Sequence, residues 1–93
     1  MSETGQVRLT GAMSCPADRR AAVRAALPEH IRLTRAEPGC LSFEVSEDTP
    51  GQFVVAEVFA SRAAFEQHQS RAAASDWAQI TQGLPRDYRV EEG

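Results

Sequence analysis

Lysine is missing from this chain. All ten basic side chains are arginine, set against thirteen acidic ones, for a net charge of -3 and a sequence pI of about 5.3. An acidic balance with no basic stripe excludes a nucleic-acid footprint, which needs clustered positive charge to meet the phosphates. Cysteine is scarce: Cys15 and Cys40 form no CxxC pair, and only His30 and His68 accompany them. That excludes the usual zinc patterns and predicts two free thiols in a cytosolic protein. No apolar run is long enough to span a bilayer, and no basic-then-apolar leader opens the chain, so the expectation is cytoplasmic with no membrane partner. There is no glycine-rich phosphate loop and no cluster of metal ligands. The reading is therefore that no cofactor is needed: no metal, haem or flavin.

What remains is an ordinary globular composition, with 42% hydrophobic and 25% charged residues in 93 positions. That length predicts one domain with a limited core, a shortage that a second copy would relieve. Alanine and arginine usage points to a GC-rich bacterial genome. Residues 1–5 (MSETG) read as a disordered lead-in, and residues 6–93 as a single domain.

Gln6 to Met13 alternates, with Val7, Leu9, Gly11 and Met13 on one face, as a half-buried strand does. Gly11 marks a bulge or a close approach by another group. A helix is predicted after Pro16, with Asp18 placed for the helix dipole and Val23, Leu27, Ile31 and Thr34 as its buried stripe. Pro28 lies inside that helix and removes a hydrogen bond, so a kink or break is expected there. Pro38 and Gly39 stop the helix, which suffices to explain the abrupt "EPGC" turn.

Leu41 to Glu47 alternates again. "EDTPGQ" is a turn by composition, and "FVVAEVF" (Phe53 to Phe59) a strand that is apolar on both faces, so the two strands form a hairpin. Ser61 caps a second helix carrying Ala64, Phe65 and His68 inward. A further helix or broken turn holds Trp77 and Ile80, Gly83 and Pro85 end it, and "RDYRVEE" is a last strand.

The order βαββαβ predicts an α+β, ferredoxin-like fold with one antiparallel sheet and both helices on one face. The doubly apolar third strand then needs cover on its open side, which a second copy packed sheet against sheet supplies.

The stretches "TRAEPGCLSFEV" and "FVVAEVFASRAAFEQHQ" resemble the antibiotic biosynthesis monooxygenase family, over about Val7 to Val90. The resemblance implies the dimeric α+β barrel, in which ferredoxin-like subunits join through their sheets. It also implies a pocket between sheet and helices, commonly lined by a histidine where His68 stands. Polyketide oxygenases of this family are associated with an Asn and a Trp on the third strand and a Tyr opening the second helix. Val55, Phe59 and Phe65 stand there in this chain, so only the pocket and His68 carry over. The haem-degrading set is not reproduced by His68 and Trp77.

His68 is the candidate catalytic residue, an imidazole able to take a phenolic proton near neutral pH. Phe43, Val55, Glu57, Phe59, Phe65 and Trp77 are the candidate substrate-binding residues, an apolar setting for a flat aromatic ligand. Glu57, a lone carboxylate among apolar neighbours, must be paired or hydrated; pairing with an arginine is favoured over a hydrogen bond to a ligand, and both stay open. His30 is expected at the surface or in a structural role. The leading expectation is a cofactor-independent monooxygenase of a phenol or quinol that uses molecular oxygen. An isomerase or other proton-transfer enzyme, and a non-catalytic binding dimer, stay open beside it.

Overall fold

The computed structural model describes residues 5–93, and the lead-in expected over the first five residues lies, apart from Gly5, outside the described residues. Four strands alternate with helices: β1 (Val7–Ser14), α1 (Arg20–Arg35), β2 (Cys40–Thr49), β3 (Gln52–Phe59), α2 (Arg62–Ala73), α3 (Asp76–Ile80) and β4 (Arg86–Glu92), with one 3-10 turn at Ala17–Arg19. The sheet order is β2-β3-β1-β4, and every pairing is antiparallel. This is the ferredoxin-like α+β arrangement predicted from the element order.

The period-2 pattern decides which side of the sheet the helices cover. Val7, Leu9 and Met13 of β1 and Phe53, Val55, Glu57 and Phe59 of β3 are buried. Two apolar clusters result. Val7, Leu9, Val55, Phe59 and Phe65 pack together at one end, and Met13, Cys15, Val23, Phe53 and Leu84 at the other. Ala12, Val54, Ala56 and Val58 alternate with these residues and lie on the opposite face, with Ala12 beside Val54 and Thr10 beside Ala56. Among the described residues nothing covers that face, and Val54 remains 39% exposed.

Pro28 does not break α1, which runs unbroken from Arg20 to Arg35. The helix continues through Pro28 because the proline ring faces solvent, while Val23, His30 and Thr34 pin the helix to the sheet on either side of it. Burial across that face offsets the one lost hydrogen bond. The buried stripe also differs from the one expected. His30 joins Val23 and Thr34, and Leu27 and Ile31 are only half-buried.

Two glycines set close approaches. At Gly11 a Cβ would fall 2.8 Å from the Tyr88 ring and 2.1 Å from the Asp87 carbonyl oxygen; Tyr88 is its cross-strand partner. Gly11 therefore lets the only tyrosine lie flat across β1, the close approach expected at this position. At Gly39 a Cβ would fall 2.2 Å from the Ala64 Cβ, so the turn after α1 can touch α2 only without a side chain there. Ser61 caps α2 as expected, its hydroxyl accepting from the Ala64 N–H at 3.1 Å.

Candidate functional site

The contact between Gly39 and Ala64 brings the end of α1 against α2, and three charged or titratable side chains meet there. Glu37 accepts a hydrogen bond from His68 Nδ1, with Oε1 at 3.0 Å. Arg71, one turn further along α2, donates from Nε to the other Glu37 oxygen and from Nη2 to the Thr34 hydroxyl at 3.0 Å. A carboxylate can only accept, so the His68 ring carries its proton on Nδ1. Burial lowers the His68 pKa, opposed by the charge and hydrogen bond of Glu37. The neutral ring then presents the lone pair of Nε2 on its other side.

That lone pair faces Glu57. His68 Nε2 lies 3.8 Å from Glu57 Oε1, too long for a hydrogen bond, and Glu57 Oε1 has no other partner. The arginine expected to pair with Glu57 is not found among the described residues. β3 delivers this side chain to the helix-covered face between Val55 and Phe59, where the cations reach other acids. Burial, with the Glu37 charge adding to it, pushes the Glu57 carboxyl up to about 7. A carboxyl raised and an imidazole lowered from their ordinary values thus stand side by side.

Both line a cavity of about 290 Å³ between the sheet and the helices, with Leu9, His30, Trp77 and Tyr88 among its walls. Aromatic packing fixes its shape. The Trp77 indole stacks on His30 at 4.6 Å between ring centroids and 8° between planes, and Phe59 stacks beneath His68 at 4.9 Å. His30 is buried, its Nδ1 has no hydrogen-bond partner, and desolvation together with the neighbouring His68 and Arg71 charges lowers its pKa to about 4. Of the two roles expected for His30, the surface one is corrected: it is a neutral, buried wall of the cavity, stacked on Trp77. A second cavity of about 240 Å³ lies across the His30 and Trp77 stack.

Among the residues proposed from sequence, His68, Glu57 and Trp77 meet around the first cavity. Phe43 and Phe59 lie behind it against the imidazoles. Val55 and Phe65 belong to the apolar cluster at that end of the sheet. The sequence reading missed Glu37, Arg71, Tyr88 and Arg86. Glu37 had a signal in the "EPG" turn, read only as a helix stop. Tyr88 and Arg86 share the β4 face that pairs with Gly11 and Met13, a register that only the sheet order discloses. No group of three or more metal-ligating side chains occurs among the described residues, and no helix there is long and apolar enough to cross a membrane.

Residues 7–80 match the family model described as antibiotic biosynthesis monooxygenase. The chain belongs to that family. Solved structures agree on the fold. Protein Rv0793 of Mycobacterium tuberculosis is 29% identical with a TM-score of 0.74, covering 92% of each chain. Protein SO0527 of Shewanella oneidensis is 28% identical with a TM-score of 0.69, covering 98% of this chain and 91% of that one. A Nitrosomonas europaea protein at 22% identity superposes with a TM-score of 0.81 over 100% and 95%. No curated protein matches the chain significantly. The family match establishes the fold and leaves the reaction to be argued from the site.

Proposed function

We propose that this protein is a cofactor-independent monooxygenase that oxidises a small phenol, quinol or related aromatic in the cavity between sheet and helices. The observation that carries the reading is the facing pair on the cavity floor: the His68 Nε2 lone pair and the unpartnered Glu57 carboxyl, 3.8 Å apart. His68 is the base. Glu37 holds its tautomer, and burial keeps it neutral below the ordinary imidazole pKa. Glu57, protonated up to about pH 7, is the acid that returns a proton.

The chemistry balances without a resident redox group. His68 removes the hydroxyl proton, leaving an electron-rich phenolate. A ring carbon ortho or para to that oxygen, and still bearing hydrogen, passes electrons to dioxygen and forms a carbon–peroxide bond. Loss of that carbon's proton and heterolysis of the O–O bond leave one oxygen in the quinone and release the other as water. The protein's contributions are orientation of the ring between apolar walls and exclusion of solvent from the anion. The uncovered sheet face supports a homodimer joined through the sheets.

The same acid and base pair would also serve an isomerase that moves a proton within a small oxygenated metabolite. Oxygen uptake separates the two. Turnover of a quinol that consumes one dioxygen, places one of its oxygens in a hydroxyquinone product and releases no hydrogen peroxide supports the monooxygenase, and undiminished turnover under nitrogen replaces it with the isomerase.

A further inference from the structure

The cavity is not polar at one end only. Opposite the Glu57 floor, on the far side of β1 and nearer the other end of the sheet, Arg86 of β4 also lines it. Arg86 pairs in register with Met13, whereas Glu57 pairs with Leu9. The two groups therefore stand diagonally across the sheet face, with Leu9 and Tyr88 between them. The guanidinium is anchored from below. Its Nη2 donates to the Thr81 hydroxyl at 2.7 Å, and that fully buried threonine in turn donates to the Trp77 carbonyl at 2.7 Å. Nη1 donates to the Leu84 carbonyl at 3.2 Å. Arg86 forms no ion pair with any acid among the described residues, whereas Arg24, Arg32, Arg35, Arg62 and Arg71 each have one.

A cation held in place at one end of an apolar cavity, with two unpartnered buried polar atoms at the other, defines a ligand with two unlike ends. The deep end offers Glu57 Oε1 and His30 Nδ1. These groups are uncharged when Glu57 is protonated, and suit a hydroxyl. The Arg86 end suits an anion that can accept the unused guanidinium donors. The volume, about 290 Å³, lies near the small end of ligand pockets, which start at about 300 Å³ for drug-sized molecules. It favours one aromatic ring or two fused ones.

We propose that the substrate is a small hydroxylated aromatic acid, its hydroxyl placed beside His68 and Glu57 and its carboxylate received by Arg86. This deepens the reading above and rests on the cavity being the phenol site. Binding tests it without turnover, because the single tryptophan, Trp77, lines the cavity and reports occupancy by fluorescence. Titration at neutral pH compares 4-hydroxybenzoate with its uncharged methyl ester, on the wild-type protein and on Arg86→Gln and Arg86→Lys. The acid is expected to bind about tenfold tighter than the ester, the scale of a charge-assisted hydrogen bond. The preference should persist in Arg86→Lys, weaken with salt, and vanish in Arg86→Gln. An ester that binds wild-type protein as tightly as the acid overturns the anion site while leaving the phenol pocket standing, and this comparison needs no variant to fold. Failure of both compounds to bind at millimolar concentration overturns the pocket reading and this proposal together.

Discussion

Replacing Glu57 with glutamine tests the electrostatics of the site before any substrate is known. Glutamine keeps the shape of the protonated carboxyl and cannot ionise. In the folded protein Glu57 titrates near 7, against 4.5 for an unperturbed group. Below pH 4.5 the carboxyl is protonated in both states and its burial carries no charge penalty. Between the two values the unfolded chain gives up its proton and the folded chain keeps it, so Glu57 lowers stability progressively as pH rises. Above about 7 the loss is complete. A difference of roughly 2.5 units at 1.36 kcal/mol each is about 3 kcal/mol, an upper figure because the site can relax.

His30 acts in the opposite sense over an overlapping range. Its folded value of about 4 gives stability that is present above the unfolded imidazole pKa and lost as pH falls toward 4. The wild-type profile alone therefore mixes two effects that partly cancel. The difference between Glu57→Gln and wild type isolates one of them, since His30 is common to both. Urea unfolding at one fixed protein concentration, repeated from pH 4.5 to 8, should show Glu57→Gln gaining up to about 3 kcal/mol on wild type across that range. A difference that stays constant within about 0.5 kcal/mol, the usual tolerance for independent sites, would refute the buried, unpaired carboxylate.

Three further outcomes follow from the same geometry. His68→Ala should cut turnover of an identified substrate by about 100-fold or more per folded molecule, measured with the folded fraction set by circular dichroism; unchanged specific activity would remove His68 from the mechanism. Ala56→Arg, at the centre of the uncovered sheet face, should convert a dimer into a species of 10.1 kDa in sedimentation, and a wild-type monomer at micromolar concentration would contradict the sheet-to-sheet assembly. Gly39→Ala forces its new methyl into Ala64 and should cost about 1–3 kcal/mol, the range for overpacking, with weakened activity because α2 carries His68 away from Glu37; a thermal melt matching wild type would show that the contact is not needed.

The fold was legible because its signals are periodic and local. Val7, Leu9 and Met13 alternate, Ser61 caps α2, and the order of elements leaves few topologies. The break allowed for at Pro28 does not occur because a local rule, one lost hydrogen bond, is overridden by packing at Val23, His30 and Thr34 that only the folded helix displays. The site was legible in part. His68 and Glu57 stand out as titratable groups in apolar stretches. Their relationship does not, since His68 depends on Glu37, 31 residues away in sequence, through a turn whose glycine matters for the helix it touches. The place of His30 in the cavity wall was not legible because its sequence neighbours Glu29 and Arg32 are charged residues of a solvent-facing stretch. Arg86 and Tyr88 needed the β1 to β4 register before they could be placed on the cavity side at all.

In the proposed mechanism His68 and Glu57 together move the proton that commits a phenol or quinol to oxidation. Oxygen-electrode measurement of kcat/KM for a quinol across pH tests it most directly. The expected profile is a bell whose acid limb lies below the ordinary imidazole pKa, where His68 becomes protonated, and whose basic limb lies near 7, where Glu57 loses its proton. The limbs are apparent values belonging to the pair. Glu57→Gln should remove the basic limb, and His68→Ala should abolish the uptake. A wild-type profile flat from pH 5 to 9, or a basic limb that survives in Glu57→Gln, would contradict the account.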